Sequence, residues 1–454
     1  MKSYESIEKP LSTMKHLYSL VFVLASVLVL QSCSKQEISV PTQPESTNYS
    51  SKVATEWMHT IQKLVQSEGK TPPVASRIYA YAAIGLYESV VPGMKGYQSL
   101  QGQIPGLNNL PNSKSFKELD YITAANESLY QVTLKVFGTL KPENKAMIEA
   151  LHTKYYDASF RRVLSDVVYN SVGFGNMVAN AVMDRANNDN FSGTRGLPYA
   201  VPSSTLNPSY WSPTGAALAP LEPFWGQVKC FAMATSEACT IKSTIPFSTA
   251  TGSPFYKQAE EVRVATLNLT EEQKAIANWW SDGANQTATP PGHWVAIVDQ
   301  VAEQKNLDLG KASEVYAMVT ITMADAFISC WDEKYRLNLL RPVSYIKNFI
   351  PNNASWQPFL TTPAFPEYPS GHSVASGAAS DILTNLLGDV AFTDSANTYL
   401  GYQPRSYKSF TQAANEAAIS RLYGGIHFRE AIEKGLLQGR EVSKAVLGKI
   451  KLRI

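Results

Sequence analysis

Cysteine is scarce in this chain: four residues in 454, with no CxxC pair among them. That excludes a disulfide-stapled scaffold and a CxxC-type zinc or redox site. An excess of positive charge is missing too. Lys and Arg number 40 against 38 Asp and Glu, a net of +2, so global charge gives no footing for nucleic acid. Charged residues make up only 17% and hydrophobic residues 44%. This excludes a disordered chain and leaves ample material for a large core. Histidine is rare as well: His16, His59, His152, His293, His372 and His427 are all there are. Any imidazole chemistry has to use one of these.

Long apolar runs are absent but for one. Leu17–Leu30 is 14 residues, short for a membrane-spanning helix. It follows Met14-Lys15-His16 and ends at Leu30-Gln31-Ser32-Cys33. A charged start, an apolar middle and a small residue before the cut form the layout of an export signal. The Cys directly after Ser32 resembles a bacterial lipoprotein signal, although Gln31 stands where such signals carry a small residue. The expected organisation is a signal segment over 1–33 with Cys33 as the lipidated residue, a polar tether over 34–51, and one helical body over 52–454. The expected location is outside the cytoplasm: on an outer-membrane lipid anchor facing periplasm or exterior, or secreted. In that setting Cys230 and Cys239 could pair.

Strand-like alternation is also rare, and helical periodicity fills most of the body. Val74–Val90 places Ile78, Ala82, Gly85 and Ser89 on one face, and small residues at that spacing let helices pack closely. Pro142–Tyr155, Ser165–Ala186, Glu271–Trp280, Trp294–Glu303, Lys311–Leu339, Ser373–Leu387, Phe410–Arg421 and His427–Lys449 read the same way. The fold class is all-α, a bundle of many helices. Asn187–Thr251 differs. It is too Pro- and Gly-rich for regular elements and, with Trp211 and Trp225, too aromatic for disorder. It reads as a long ordered loop region wrapped between two helical halves.

Three blocks in the last third carry chemistry. In the first, Lys334 and Arg341 stand seven apart before Pro342, two turns along one helical face, so both can reach one anion. In the second, Pro369-Ser370-Gly371-His372 turns into a helix; backbone N–H groups and the Ser370 hydroxyl can cradle an oxyanion, with His372 at the rim as acid/base. In the third, Arg421 ends a helix, Gly424-Gly425 turns the chain, and His427 opens the next helix. Each block alone fits ordinary structure: a solvated basic face, a plain helix start, a helix hairpin. Together they bring three cations, Ser and Gly donors and two histidines to one site, which suits a highly charged tetrahedral oxyanion.

K-x6-RP, PSGH and SR-x5-H, in this order, resemble the signature shared by vanadium-dependent haloperoxidases and type 2 phosphatidic-acid phosphatases. The blocks span Trp331–His427. The segments SRIYAYAAIGLYES and PPGHW are similar to bacterial members of the haloperoxidase branch. The resemblance implies two four-helix bundles and a vanadate cofactor held by Lys334, Arg341, Ser370, Gly371 and Arg421, with His427 as the protein-to-metal bond and His372 as acid/base. Trp331 and Phe365 are similar to the aromatic residues of the halide-side pocket. Hydrogen peroxide and a halide would be the substrates, with an organic halogen acceptor as a further partner. The family often carries Asp three residues after the liganding His. Here that position is Glu430, one helical turn on, where a carboxylate can still orient the imidazole. His372 needs an orienter as well, and Asp282 and His293 are the candidates.

The implied reaction is oxidation of iodide, with weaker or absent bromide activity, to hypohalous acid. Two other readings stand beside it. One is a phosphatase with His427 attacking phosphorus and His372 protonating the leaving group. The other is a glycan-binding surface lipoprotein, suggested by 23 Tyr and 8 Trp; it leaves Lys334, Arg341 and Arg421 without a purpose.

Overall fold

The longest apolar helical pattern in the chain becomes the axis of the fold. In a computed structural model describing residues 44–214 and 219–454, thirteen α-helices appear among the described residues. The signal-like segment 1–33 with Cys33, and the tether as far as residue 43, lie outside them. Residues from Gln43 onward form one unit. No helix among the described residues is long and apolar enough to cross a membrane.

Five helices come first: α1 (Lys52–Ser67), α2 (Pro72–Val90), α3 (Tyr121–Phe137), α4 (Pro142–Ser159) and α5 (Ser165–Asn187). After the irregular region come α6 (Pro254–Leu267), α7 (Glu271–Trp279), α8 (Thr289–Gln304), α9 (Leu309–Leu337) and α10 (Pro342–Phe349). The chain ends with α11 (Gly371–Leu387), α12 (Phe410–Tyr423) and α13 (Arg429–Lys449). The 29-residue α9 is the axis: it packs on α2 on one side and on α11 and α13 on the other. Its start is capped by Asp308, which accepts from Lys311 N–H at 2.8 Å. The one sheet among the described residues is a hairpin of β1 (Phe392–Asp394) and β2 (Arg405–Tyr407), antiparallel with Thr393 opposite Ser406. Three-residue strands are too short to show alternation in a sequence.

Three local expectations are corrected. The basic block does not run along one helical face. Asn338 adopts a left-handed conformation (φ 49°) and ends α9, and Arg341 becomes the N-cap of α10. Asn tolerates that conformation better than most residues, so it stops the helix where Gly would otherwise be needed. Nor does His427 open α13, which begins at Arg429 with Phe428 as N-cap. Cys230, Cys239 and Cys330 are free thiols, so the Cys230–Cys239 pair does not form.

The Pro-rich region is ordered by buried carboxylates. Asp325 on α9 accepts three consecutive N–H groups, from Phe231 at 2.6 Å, Ala232 at 2.8 Å and Met233 at 2.9 Å. Glu430 on α13 takes Ser243 Oγ at 2.8 Å and Thr244 N–H at 2.5 Å. Ser209 and Trp211 pair with Leu340 and Asn338 across the end of α9. Trp211 and Trp225 are fully buried.

The helix that bears His372 and the helix that follows His427 cross at glycine. A Cβ at Gly439 on α13 would stand 2.2 Å from the Val374 carbonyl oxygen and 2.5 Å from Ala378 N on α11. Backbone cannot yield as a side-chain tip can. Gly439→Ala is therefore expected to lower stability by about 1–3 kcal/mol, read from denaturant unfolding; an unchanged midpoint would contradict so close a crossing.

Candidate active site

Every cation named from the sequence is buried. Lys334, in the last turn of α9, is fully enclosed and donates to the carbonyls of Pro366 (3.1 Å), Glu367 (2.9 Å) and Pro369. Arg341 sends Nε to the Phe365 carbonyl at 2.9 Å and Nη1 to the Ile426 carbonyl at 2.8 Å; its Nη2 has no partner. Arg421 holds Ser420 Oγ at 3.0 Å and the Trp280 carbonyl. Burial pushes Lys334 down to about 7 and both arginines down to about 10. Cations taken out of water and held mainly by carbonyl dipoles lack full compensation, and an anion in their midst would restore it.

The PSGH block forms the turn expected of it. Ser370 is the N-cap of α11, where its hydroxyl accepts from Ser373 N–H at 3.4 Å. A Cβ on Gly371 would stand 3.2 Å from the Trp331 ring, a tight contact that glycine avoids at the helix start. The Trp331 and Phe365 rings lie 5.0 Å apart, and the Lys334 ammonium sits 5.7 Å and 5.2 Å from their centres. One cavity of about 370 Å³ is lined by Trp331, Phe365, Gly371, His372, Arg421 and His427, with Leu221, Phe327, Leu360 and Ile426 as its apolar side.

His427 reaches this cavity with Nε2 3.0 Å from Arg341 Nη1. Its other nitrogen, Nδ1, meets Glu367 Oε1 at 2.9 Å. Glu430 is therefore not the partner of His427. It lies in the turn after the histidine but is taken up by the 243–245 strap, as its hydrogen bonds show. Glu367 went unseen in the sequence because it is sixty positions away and belongs to no motif; its place directly before Tyr-Pro-Ser-Gly-His was the available signal. Burial lowers His427 well below an ordinary imidazole, and Arg341, Lys334 and Arg421 lower it further.

His372 keeps 17% of its side chain exposed, yet its Nε2 is buried and has no partner. Asp282 Oδ2 lies 3.8 Å from that nitrogen, beyond a hydrogen bond. Burial, and then Arg421 and His293, hold His372 far below the ordinary imidazole value, so it rests as a neutral base. The hydrogen bonds of His293 go elsewhere. Its Nδ1 meets Asp282 Oδ2 at 2.9 Å and its Nε2 meets Asp394 Oδ2 at 2.8 Å, with Trp280 stacked 4.2 Å away. Burial would neutralise His293, but Asp282 and Asp394 outweigh it and raise it to about 10. His293 is thus one step removed from His372, acting on Asp282. Asp394, from the hairpin, was not foreseen.

The arrangement suits an oxyanion. Among the described residues no three His, Cys, Asp or Glu side chains are grouped to ligate a metal cation. Instead the imidazole of His427 stands among cations, with Arg341 Nη2 and His372 Nε2 buried and unpaired.

Residues 314–454 match the family model of the second helical-bundle domain of vanadium chloroperoxidase. The vanadium chloroperoxidase of Curvularia inaequalis is 29% identical over 38% of this chain, which spans 40% of that enzyme's length. A bacterial vanadium-dependent iodoperoxidase superposes with a TM-score of 0.82 and 35% identity, over 90% of this chain and 99% of that one. A bacterial vanadium-dependent chloroperoxidase, 18% identical, shares the fold with a TM-score of 0.62, over 85% of this chain and 96% of that one. The 35% identity along nearly the full length of the iodoperoxidase settles the family, and the chain belongs to the vanadium-dependent haloperoxidases.

Proposed function

We propose that this protein binds vanadate and uses hydrogen peroxide to oxidise halide, iodide foremost, to hypohalous acid. The observation that carries this reading is one cavity with an aromatic wall, lined by His427, Arg421 and His372, with Arg341 Nη1 3.0 Å from His427 Nε2. His427 would supply the bond to vanadium, and Lys334, Arg341, Ser370, Gly371 and Arg421 would hold the oxygens. When bound, vanadium(V) supplies a Lewis acid that keeps its oxidation state. The remaining work belongs to the chain. His372 takes a proton from the incoming peroxide. The buried cations are in place before the reaction, so no reorganisation is needed when charge develops. Trp331 and Phe365 keep the halide side dry. The preference for iodide rests on its ease of oxidation and on the likeness, along nearly the full length, to a bacterial iodoperoxidase.

The test is peroxide-dependent oxidation of iodide, bromide and chloride with and without added vanadate. The expected outcome is vanadate-dependent iodide oxidation with bromide weaker or absent. Chloride turnover comparable to iodide would refute the selectivity. Phosphate release from a generic ester by vanadate-free protein, without halide oxidation, would favour a phosphatase.

A further inference from the structure

Glu367 is completely buried, and one of its carboxylate oxygens, Oε2, has no partner at all. A carboxylate in that state is costly and calls for a reason. Its contacts supply one. The guanidinium of Arg341 has only donors, so His427 Nε2, 3.0 Å from Arg341 Nη1, accepts and carries the lone pair. The ring proton is then on Nδ1, 2.9 Å from Glu367 Oε1. The same oxygen accepts the backbone N–H of Phe428 at 2.9 Å, which fixes the carboxylate against the chain next to His427. Through its main chain Glu367 does a second job. Its carbonyl accepts Lys334 Nζ at 2.9 Å, and its N–H donates to the Leu339 carbonyl at 2.9 Å. One residue therefore ties the lysine with its backbone and the histidine with its side chain.

We propose that Glu367 is a positioning residue: it locks His427 in the Nδ1–H form, aims the Nε2 lone pair into the oxyanion cradle, and strengthens that nitrogen as a donor to vanadium. A carboxylate on the far side of a ligating imidazole fixes its tautomer and raises its basicity. The proposal rests on the vanadate reading. It also makes a prediction opposite in sign to plain electrostatics. Removing a negative charge beside three cations would, by Coulomb attraction alone, tighten the binding of any anion. If Glu367 acts through His427, removing its charge weakens vanadate instead.

Three proteins decide this: wild type, Glu367→Gln, which keeps an acceptor oxygen and loses the charge, and Glu367→Ala, which loses both. Titration calorimetry with orthovanadate and, separately, with inorganic phosphate gives the affinities. Long-range 1H–15N spectra of vanadate-free protein give the His427 tautomer. The expected result is a vanadate affinity about 10–100-fold weaker in Glu367→Gln, weaker again in Glu367→Ala, with phosphate affinity equal or tighter. The ring spectra should show a protonated Nδ1 in wild type and a tautomer mixture in Glu367→Ala. Equal or tighter vanadate binding by Glu367→Gln overturns the proposal, as does a wild-type ring protonated on Nε2. Should wild type itself fail to bind vanadate, the functional reading falls, while the spectra of free protein still decide whether Glu367 sets the tautomer.

Discussion

His427→Ala is expected to leave no vanadate binding measurable at about 100 times the wild-type Kd, a loss of at least about 2.7 kcal/mol. The reason lies in what the other residues of the cradle can do. Lys334, Arg341 and Arg421 donate hydrogen bonds and carry charge, but none presents a lone pair. His427 Nε2 is the neutral nitrogen that stands among them, 3.0 Å from Arg341. Alanine also removes the partner of the buried Glu367 carboxylate, leaving Oε1 with Phe428 N–H alone. Stability should therefore fall as well, by about 1–3 kcal/mol. Binding is measured by calorimetry and by the 51V resonance, with circular dichroism to confirm that the variant is folded. A folded His427→Ala protein that binds vanadate within threefold of wild type would remove His427 from the role of ligand.

His372→Ala should behave in the opposite way. Turnover of iodide is expected to fall by about 10²–10⁴-fold, while vanadate affinity stays within a few-fold of wild type. His372 lines the cavity, and its Nε2 has no protein partner to give up. Burial and the neighbouring Arg421 keep the ring unprotonated, which is the state a base requires. Asp282 adopts a left-handed backbone conformation, φ 44°, to stand 3.8 Å from it, and strain of this kind gathers at functional sites. His293, clamped between Asp282 and Asp394, holds that aspartate in place. Single-turnover and steady-state iodide oxidation, read beside calorimetry, separate the two effects. Unchanged turnover would strike His372 from the mechanism; lost binding would make it a ligand-holding residue instead.

The two variants probe residues that were legible for the same reasons. His372 and His427 stood out because histidine is so rare and because each lies beside a turn that places it. Lys334 and Arg341 were rightly paired but for the wrong reason. Their spacing matched one helical face, whereas the chain in fact breaks at Asn338 and brings Arg341 in from the start of α10. Side-chain destination survived this because both residues remain in the same short stretch of chain. Glu430 was misjudged since helical spacing reports only what shares a face. It cannot report that a distant strap, Ser243–Ile245, arrives to occupy the carboxylate first.

By itself the sequence determined the helical class, since apolar periodicity is a local property of each segment. It also picked out the members of the buried cluster of cations and histidines, because each of the three short blocks holds its residues close together along the chain. It showed the scarcity of cysteine and the near balance of charge, but not that three of its forty basic residues would be buried around one cavity. Only the tertiary structure decided the partners. Glu367 for His427, Asp394 for His293 and Asp325 for the Pro-rich strap are separated by 60, 101 and about 93 positions. A buried carboxylate takes whichever donor the packing brings to it, and packing is settled by the whole core rather than by neighbours in the chain.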